Sequence, residues 1–190
     1  RRLFKQRSAI IGLILLSLLI FSAIFAPWIA PYDPQQVLIG KEDVRKREAP
    51  CIHLLGCPAD KPQHILGIDG NVRDQFSRLI YGTRVSLYVG IITVTFAVIV
   101  GTLLGAIAGF FGGVADNVIM RVLDIVLAFP FLLLAIAIVS VIGPGLRNAM
   151  LAIAIISIPI YARVTRASVL SVREMHFIEA SRALGASTWQ

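Results

Sequence analysis

Two long uncharged runs constrain the fold of this chain more than any other feature. The residues from Ala9 to Ala26 and from Val85 to Phe111 carry no charged side chain and are rich in Leu, Ile and Val. A helix needs about 20 apolar residues to cross the ~30 Å hydrocarbon layer of a bilayer. Both runs therefore predict transmembrane helices.

Two further apolar runs contain prolines and charges. Val118 to Ile142 holds Arg121, Asp124 and Pro130, and Asn148 to Val169 holds Pro159, Arg163 and Arg166. The whole chain is 57% hydrophobic and only 15% charged, which is unlike a soluble domain. We predict an all-α integral membrane protein, a polytopic bundle with four helices that cross the bilayer.

The basic residues predict the orientation of the chain. Arg1, Arg2, Lys5 and Arg7 precede the first span, and the positive-inside rule keeps such a flank in the cytoplasm. Four crossings then return the chain to the cytoplasm, where Arg173 and Arg182 follow the same rule. A cleaved signal peptide is the alternative, but no small-residue cleavage site ends the first run.

The predicted organisation has four parts. Residues 1–28 form the cytoplasmic flank and first span, 29–84 an extracytoplasmic loop, 85–170 the second to fourth spans, and 171–190 a cytoplasmic segment. Within the loop, the helical period over 69–84 predicts an amphipathic helix at the outer membrane surface. We expect Asp69 as its N-cap and an ion pair between Asp74 and Arg78.

The net charge of +7 does not indicate nucleic acid. The basic residues flank apolar runs and form no stripe with aromatic interleaving, so we expect no nucleic-acid partner. No spacing typical of a phosphate-binding loop, a nucleophile or a catalytic metal is found either. We therefore expect neither a catalytic site nor a metal site in this chain.

Three glycines recur every fourth residue in the second span. Gly101, Gly105 and Gly109 share one helix face, where a neighbouring helix can approach closely. This spacing predicts tight helix packing. The alternative is that the three glycines have this spacing by chance, because glycine is frequent in membrane helices.

Asp124 and Arg163 are the ionisable residues set deepest in apolar sequence. Each lies about 9 Å from the cytoplasmic end of its span, at ~1.5 Å per residue. An unpaired charge at this depth is costly, so we predict an ion pair between Asp124 and Arg163. Arg121 or Arg166 is the alternative partner, and separate snorkelling of each charge to the interface also stays open.

Cys51 and Cys57 lie in the predicted outer loop, near His53 and His64. These four residues allow either a disulfide or a metal site. Two cysteines in an oxidising compartment, without a thiolate-rich cluster, favour the disulfide.

The segment after the fourth span predicts a docking helix. Glu179, Ala180 and Ser181 begin a short helical stretch that ends at Gly185. Small residues allow another surface to come close, and the glycine permits a change of direction. An ordinary amphipathic helix at the membrane surface is the alternative.

This segment resembles the Glu-Ala-Ala-x-x-x-Gly coupling motif of ABC importer permeases, with Ser181 in place of the second alanine. The residues from Gly67 to Asp74 resemble the sequence ahead of the second span in dipeptide, oligopeptide and nickel permeases of the C type. That pattern usually has threonine where Ile68 stands and glycine where Val72 stands.

The resemblance covers nearly the whole chain and implies the type I ABC importer fold. It implies six spans, so we expect about two-thirds of a subunit, truncated at its C-terminus. It also implies a bacterial or archaeal inner membrane and a non-catalytic permease for peptides or nickel. The implied partners are a homologous permease in a heterodimer, two ATPase subunits that bind ATP and Mg²⁺, and an extracytoplasmic solute-binding protein.

The resemblance implies that the spans are coupled to an ATPase through Glu179, Ala180, Ser181 and Gly185. Without the resemblance, a secondary transporter or channel with no ATPase partner also explains interrupted helices and buried charges. A purely structural membrane anchor explains neither the buried charges nor the docking helix.

Overall fold

The computed structural model describes the backbone of residues 6–185. Within this range the chain forms seven α-helices, isolated bridges and turns. The basic flank at Arg1, Arg2 and Lys5 and the last five residues lie outside the described part. The side chain of Arg182 also lies outside it. The chain divides into two compact units, Arg1–Tyr88 and Val89–Gln190.

The first unit begins with α1, Arg7–Ile24, followed by the short α2, Ala26–Ile29. Nearly all side chains of α1 are exposed, which suits a helix whose surroundings are lipid. The Arg84 guanidinium donates hydrogen bonds to the carbonyl oxygens of Ala23 (2.6 Å) and Ile24 (3.1 Å). It therefore satisfies carbonyl groups that the end of a helix leaves without partners.

The loop between α2 and α3 packs around a small apolar core. Leu38, Ile68 and Val72 are buried together, and Tyr32 and Val44 pack against them. Between α2 and α3, where the structure describes the whole backbone, the only helical element is a 3-10 turn at His53–Leu55. Backbone hydrogen bonds of turns hold the rest of this loop.

The start of α3 differs from the prediction. A separate amphipathic helix over 69–84, capped by Asp69, is wrong, because α3 runs unbroken from Gln75 to Phe111. Asp74 is the N-cap, and its Oδ2 accepts a hydrogen bond from the Ser77 N–H at 2.7 Å. Arg78 pairs with Asp69 and not with Asp74.

The residues before α3 explain this difference. The Asp69 carboxylate accepts hydrogen bonds from the backbone N–H groups of Asn71 (2.8 Å) and Arg73 (2.9 Å). Val72 has a φ of +57°, in the left-handed region. This turn is incompatible with a right-handed helix, although the side-chain period continues through it.

In the second unit, Pro130 divides the predicted third span. The helices α4, Gly113–Ala128, and α5, Phe131–Ile142, meet at a bend of 96°. Proline lacks the N–H that would continue the helix, and it holds Phe129 before it in an extended conformation. The pair is a broken span or a re-entrant loop, so three helices of the described residues can cross a membrane, or four with this pair.

The helix α6, Leu146–Arg173, keeps its course through Pro159, which is fully buried. Its residues Ile158 and Ala162 join Ala97 of α3 and Leu123 of α4 in one core cluster. After α6, the short α7 covers His176–Ala183. The chain is an all-α polytopic membrane protein, as predicted.

Candidate coupling and packing site

The predicted coupling residues lie on α7 and are exposed. The side chains of Glu179 and His176 are 68% and 103% exposed, with 3.5 Å between Glu179 Oε2 and His176 Nδ1. Ala180 and Ser181 are also exposed. Gly185 follows with a φ of +86°, which a glycine adopts without strain.

Large apolar side chains are exposed beside these residues. Phe177 is 60% exposed and Leu184 is 89% exposed. Such side chains, next to small residues and a charged carboxylate, form a surface on which another protein can bury apolar area. We call α7 and the residues up to Gly185 the coupling segment.

The coupling segment is joined closely to α6. Only Glu174 and Met175 separate the two helices, and the Met175 N–H donates to the Val172 carbonyl oxygen at 3.1 Å. The end of α6 and the start of α7 are therefore separated by only two residues.

The three glycines of the predicted row all face α6. A Cβ added at Gly101 would lie 2.7 Å from Tyr161 Cβ, and one at Gly109 would lie 2.9 Å from Val169 Cβ. A Cβ at Gly105 would collide with the backbone carbonyl group of Ala162. Real Cβ atoms essentially never come this close, so the observed approach of α3 to α6 requires glycine at these positions.

The structure places Asp124 and Arg163 together, with Arg163 Nη2 2.6 Å from Asp124 Oδ1. Both side chains are about half exposed, at 51% and 52%. This exposure allows solvent or headgroups to screen the pair, so its contribution to stability is small if the charges reach water.

A second ion pair lies closer to the end of α6. Arg166 binds Asp116 through two hydrogen bonds of 2.5 Å, from Nε to Oδ1 and from Nη2 to Oδ2. The Asp116 side chain is only 16% exposed. This two-point geometry is the stronger form of an arginine–carboxylate contact.

Sequence reasoning missed Asp116 as a partner, and considered Arg166 only as an alternative for Asp124. A signal was present, because Asp116 and Arg166 both lie near the cytoplasmic ends of their predicted spans. Arg173 was also missed as a contact residue. Its Nη1 donates to the carbonyl oxygens of Gly109 and Phe110, each at 3.4 Å.

In the loop between α2 and α3, Cys51 and Cys57 are joined by a disulfide, with 5.4 Å between their Cα atoms. His53 Nε2 lies 2.8 Å from the Lys61 carbonyl oxygen. No three His, Cys, Asp or Glu side chains within residues 6–185 are arranged to share a metal ion.

His64 links two carboxylates of the loop. Its Nδ1 lies 2.9 Å from Asp74 Oδ1 and its Nε2 lies 3.1 Å from Glu42 Oε2. The ring stacks on Tyr32 at 4.9 Å. Burial, and then the negative charge of Glu42, raise the pKa of the Tyr32 hydroxyl. No local sequence pattern indicated this cluster, because its members are far apart along the chain.

These features define a multi-pass membrane protein with a close helix pair and an exposed segment after its last described span. Comparison with known families adds two matches. Residues 101–190 match the binding-protein-dependent transport system inner membrane component, and residues 1–50 match the N-terminal TM domain of oligopeptide transport permease C.

Several known proteins are similar to this chain over nearly all of its length. The dipeptide transport system permease protein DppC of Haemophilus influenzae is 42% identical over 184 residues, which is 96% of this chain and 60% of that protein. The di/tripeptide permease DppC of Pseudomonas aeruginosa is 44% identical over 187 residues, 96% of this chain and 58% of that protein. The glutathione permease GsiD of Pectobacterium atrosepticum is 39% identical over 189 residues, which is 100% of this chain and 58% of that protein.

Over nearly its whole length the chain is similar to permease subunits of binding-protein-dependent ABC importers, and its first 50 residues are similar to the oligopeptide permease C type. Its fold is that of the type I importer membrane domain, in a multi-pass inner-membrane protein. The chain spans about 60% of the length of the relatives that it matches.

Proposed function

We propose that this chain is the permease part of an ATP-driven importer of di- and oligopeptides. It forms a translocation path with a homologous permease subunit. An extracytoplasmic binding protein delivers the solute, and two ATP-binding subunits bind ATP and Mg²⁺ and hydrolyse the ATP. The permease itself catalyses no reaction and holds no cofactor.

The observation that carries this proposal is the exposed coupling segment at the end of α6. Glu179 presents a charge, Phe177 and Leu184 present apolar area, and Gly185 lets the chain turn away. An ATP-binding subunit that grips this segment would move α6 through the two-residue link. The path would then alternate between its outward and inward states as ATP binds and is hydrolysed.

The proposed orientation places the N-terminus and the coupling segment in the cytoplasm. The disulfide between Cys51 and Cys57 supports this, since disulfides persist in oxidising compartments outside the cytoplasm. The loop that carries it lies between the first two spanning helices, so the residues before α1 would face inward. A bacterial or an archaeal plasma membrane is equally compatible with this topology.

The substrate proposal depends on the relatives, whose names state dipeptide, di/tripeptide and glutathione transport. All three are substrates with peptide-like backbones. We therefore propose peptide uptake ahead of nickel uptake. Uptake of a labelled dipeptide, competed by unlabelled peptides or by a nickel chelate, separates the two substrates.

A replacement of Gly185 tests the coupling assignment. Gly185→Trp should abolish uptake and co-purification of the ATP-binding subunits, because a bulky side chain is strained at positive φ and obstructs docking. Gly145→Trp is the matched control. Gly145 also has positive φ and open space around its Cβ, but it precedes α6 at the opposite end. Equal uptake by the two variants would refute the assignment.

The position of Glu179 is tested independently by labelling. Glu179→Cys should react with a membrane-impermeant thiol reagent only from the cytoplasmic side. Cys51 and Cys57 are bonded to each other, so they do not compete for the reagent. Reaction from the outer side would exclude ATPase docking at this segment.

A secondary transporter or channel is the second candidate, and the broken pair of α4 and α5 favours it. Interrupted helices line the ion and substrate sites of many such transporters. Uptake by purified protein in vesicles that contain a proton or sodium gradient and no ATP would support this candidate. Strict dependence on ATP and on the ATP-binding subunits would exclude it.

A further inference from the structure

Two arginines of α6 hold the two sides of the turn between α3 and α4. Arg166 binds Asp116, in the first turn of α4, through two hydrogen bonds of 2.5 Å. Arg173 donates to the carbonyl oxygens of Gly109 and Phe110, in the last turn of α3. We call Arg166, Asp116 and Arg173 the arginine clamp.

The positions of the two arginines follow from helix geometry. They are seven residues apart, which is about two turns and ~10 Å along one face of α6. The turn that they flank is very short, because α3 ends at Phe111 and α4 begins at Gly113, with one residue between them. Gly112 and Gly113 make it with φ values of +66° and +53°.

The chemistry of the clamp resists separation. A two-point arginine–carboxylate pair fixes orientation as well as distance. The low exposure of Asp116 means that breaking the pair would leave a poorly solvated charge. Arg173 places a cation at the negative end of the α3 dipole, where a cation is favourable.

Arg173 is also the last residue of α6, and only two residues separate it from the start of the coupling segment. We propose that the arginine clamp transmits movement of the coupling segment to the turn between α3 and α4. Arg166, Asp116 and Arg173 are thus positioning residues for transport. This inference rests on the proposed function, in which an ATP-binding subunit moves α7.

The first test measures the number of peptides taken up per ATP hydrolysed by the whole complex in vesicles. Arg166→Gln and Arg173→Gln should lower this ratio about tenfold or more, a usual size for a coupling between sites. The ATP-binding subunits should still co-purify, because the coupling segment is intact. Arg147→Gln, an exposed arginine near the opposite end of α6, should keep the parental ratio.

An unchanged ratio in both glutamine variants overturns the inference. A parental complex that does not bind ATP-binding subunits overturns the proposed function as well, so the two failures are distinguishable. If the glutamine variants do not reach the membrane, a more conservative variant decides. Arg166→Lys keeps the charge but cannot bind the carboxylate at two points, so it should give an intermediate ratio of peptide uptake to ATP hydrolysis.

A charge exchange separates transmission from simple folding. Asp116→Arg alone should lose coupling, and the double variant Asp116→Arg with Arg166→Asp should regain much of it. A double variant that couples no better than the single one contradicts the role of this pair.

The second test measures distance. Spin labels at Val114→Cys and Met175→Cys, two exposed positions outside the coupling segment, report the separation of the start of α4 from the link that precedes α7. With the clamp intact, the distance should stay the same when ATP binds, because the elements move together. In Arg166→Gln the distance should change on ATP binding. A change already present in the parental complex would overturn the inference.

Discussion

At residue 72 a β-branched side chain occupies a backbone conformation that usually requires glycine. Val72 has a φ of +57° and is 2% exposed. The left-handed conformation costs an L-residue roughly 1–2 kcal/mol, whereas burial of a valine contributes about 1.5–3 kcal/mol. The buried contact with Leu38 and Ile68 therefore offsets the backbone cost.

This balance predicts an unusual order of stability. Val72→Ala loses buried area and keeps the strained φ, whereas Val72→Gly loses more area but relieves the strain. We expect the glycine variant to be more stable than the alanine variant by about 1 kcal/mol. Hydrogen exchange of the Leu38 amide, which bonds to the Val72 carbonyl oxygen, measures this difference.

Val44 provides the control, because it packs on the same cluster and does not have a positive φ. There the usual order should hold, with glycine less stable than alanine by roughly 0.5–1 kcal/mol. The same order at both positions would contradict the strain at Val72.

The carboxylate of Asp69 makes the turn before α3 sensitive to acid. Burial opposes its ionisation, but hydrogen bonds from the N–H groups of Arg73 and Asn71, and the charge of Arg73, lower the pKa of Asp69. A lowered folded-state pKa gives stability that is present above the ordinary value of 3.8 and is lost as the pH falls below it.

We therefore expect the amides of Asn71 and Arg73 to lose protection from hydrogen exchange as the pH falls below the ordinary aspartate pKa. Asp69→Asn should lack much of this protection already at neutral pH, and its protection should depend little on pH in that window. Asp60→Asn, at an exposed position of the same loop, is the control and should behave like the parent.

At the scale of elements, the glycine face of α3 sets its distance from α6. Gly105 is the most restrictive position, because any Cβ there collides with backbone atoms of Ala162, which cannot rotate away. Gly90 lies in the same helix with open space around its Cβ.

These surroundings predict opposite effects of the same change. Gly105→Ala should destabilise the protein by about 1–3 kcal/mol, the usual cost of overpacking. Gly90→Ala should have no such cost, because alanine is the better helix former and meets nothing. Thermal unfolding in detergent measures both, and equal unfolding temperatures would show that α3 and α6 are not in contact at Gly105.

The broken pair of α4 and α5 shows how context decides the effect of a proline. Both Pro130 and Pro159 lie inside apolar runs of the sequence. Pro130 is exposed and ends a helix, whereas Pro159 is buried inside α6 and the helix continues. Neighbouring packing can hold a proline-containing helix together, and a sequence does not state which neighbours will be present.

At the scale of the whole chain, the sequence predicted the membrane class and the positions of the apolar runs, because both depend on composition and length. It did not predict that the third run is divided into α4 and α5 at a bend of 96°. The orientation of the spans stays a prediction. The turn at Asp69 and the His64 cluster could not be predicted, since they depend on contacts between residues far apart in the chain. The pair of Asp116 and Arg166 could have been predicted by comparing the positions of the charges along their spans, as was done for Asp124 and Arg163.

The bond from Arg84 to the end of α1 has a consequence for synthesis. The two residues are separated by 61 positions, so the ribosome must add about 3–12 seconds of chain, at 5–20 residues per second, before the guanidinium exists. During this interval the carbonyl groups of Ala23 and Ile24 do not have this donor. The end of the first helix therefore gains its cap from Arg84 only after most of the following loop has been synthesised.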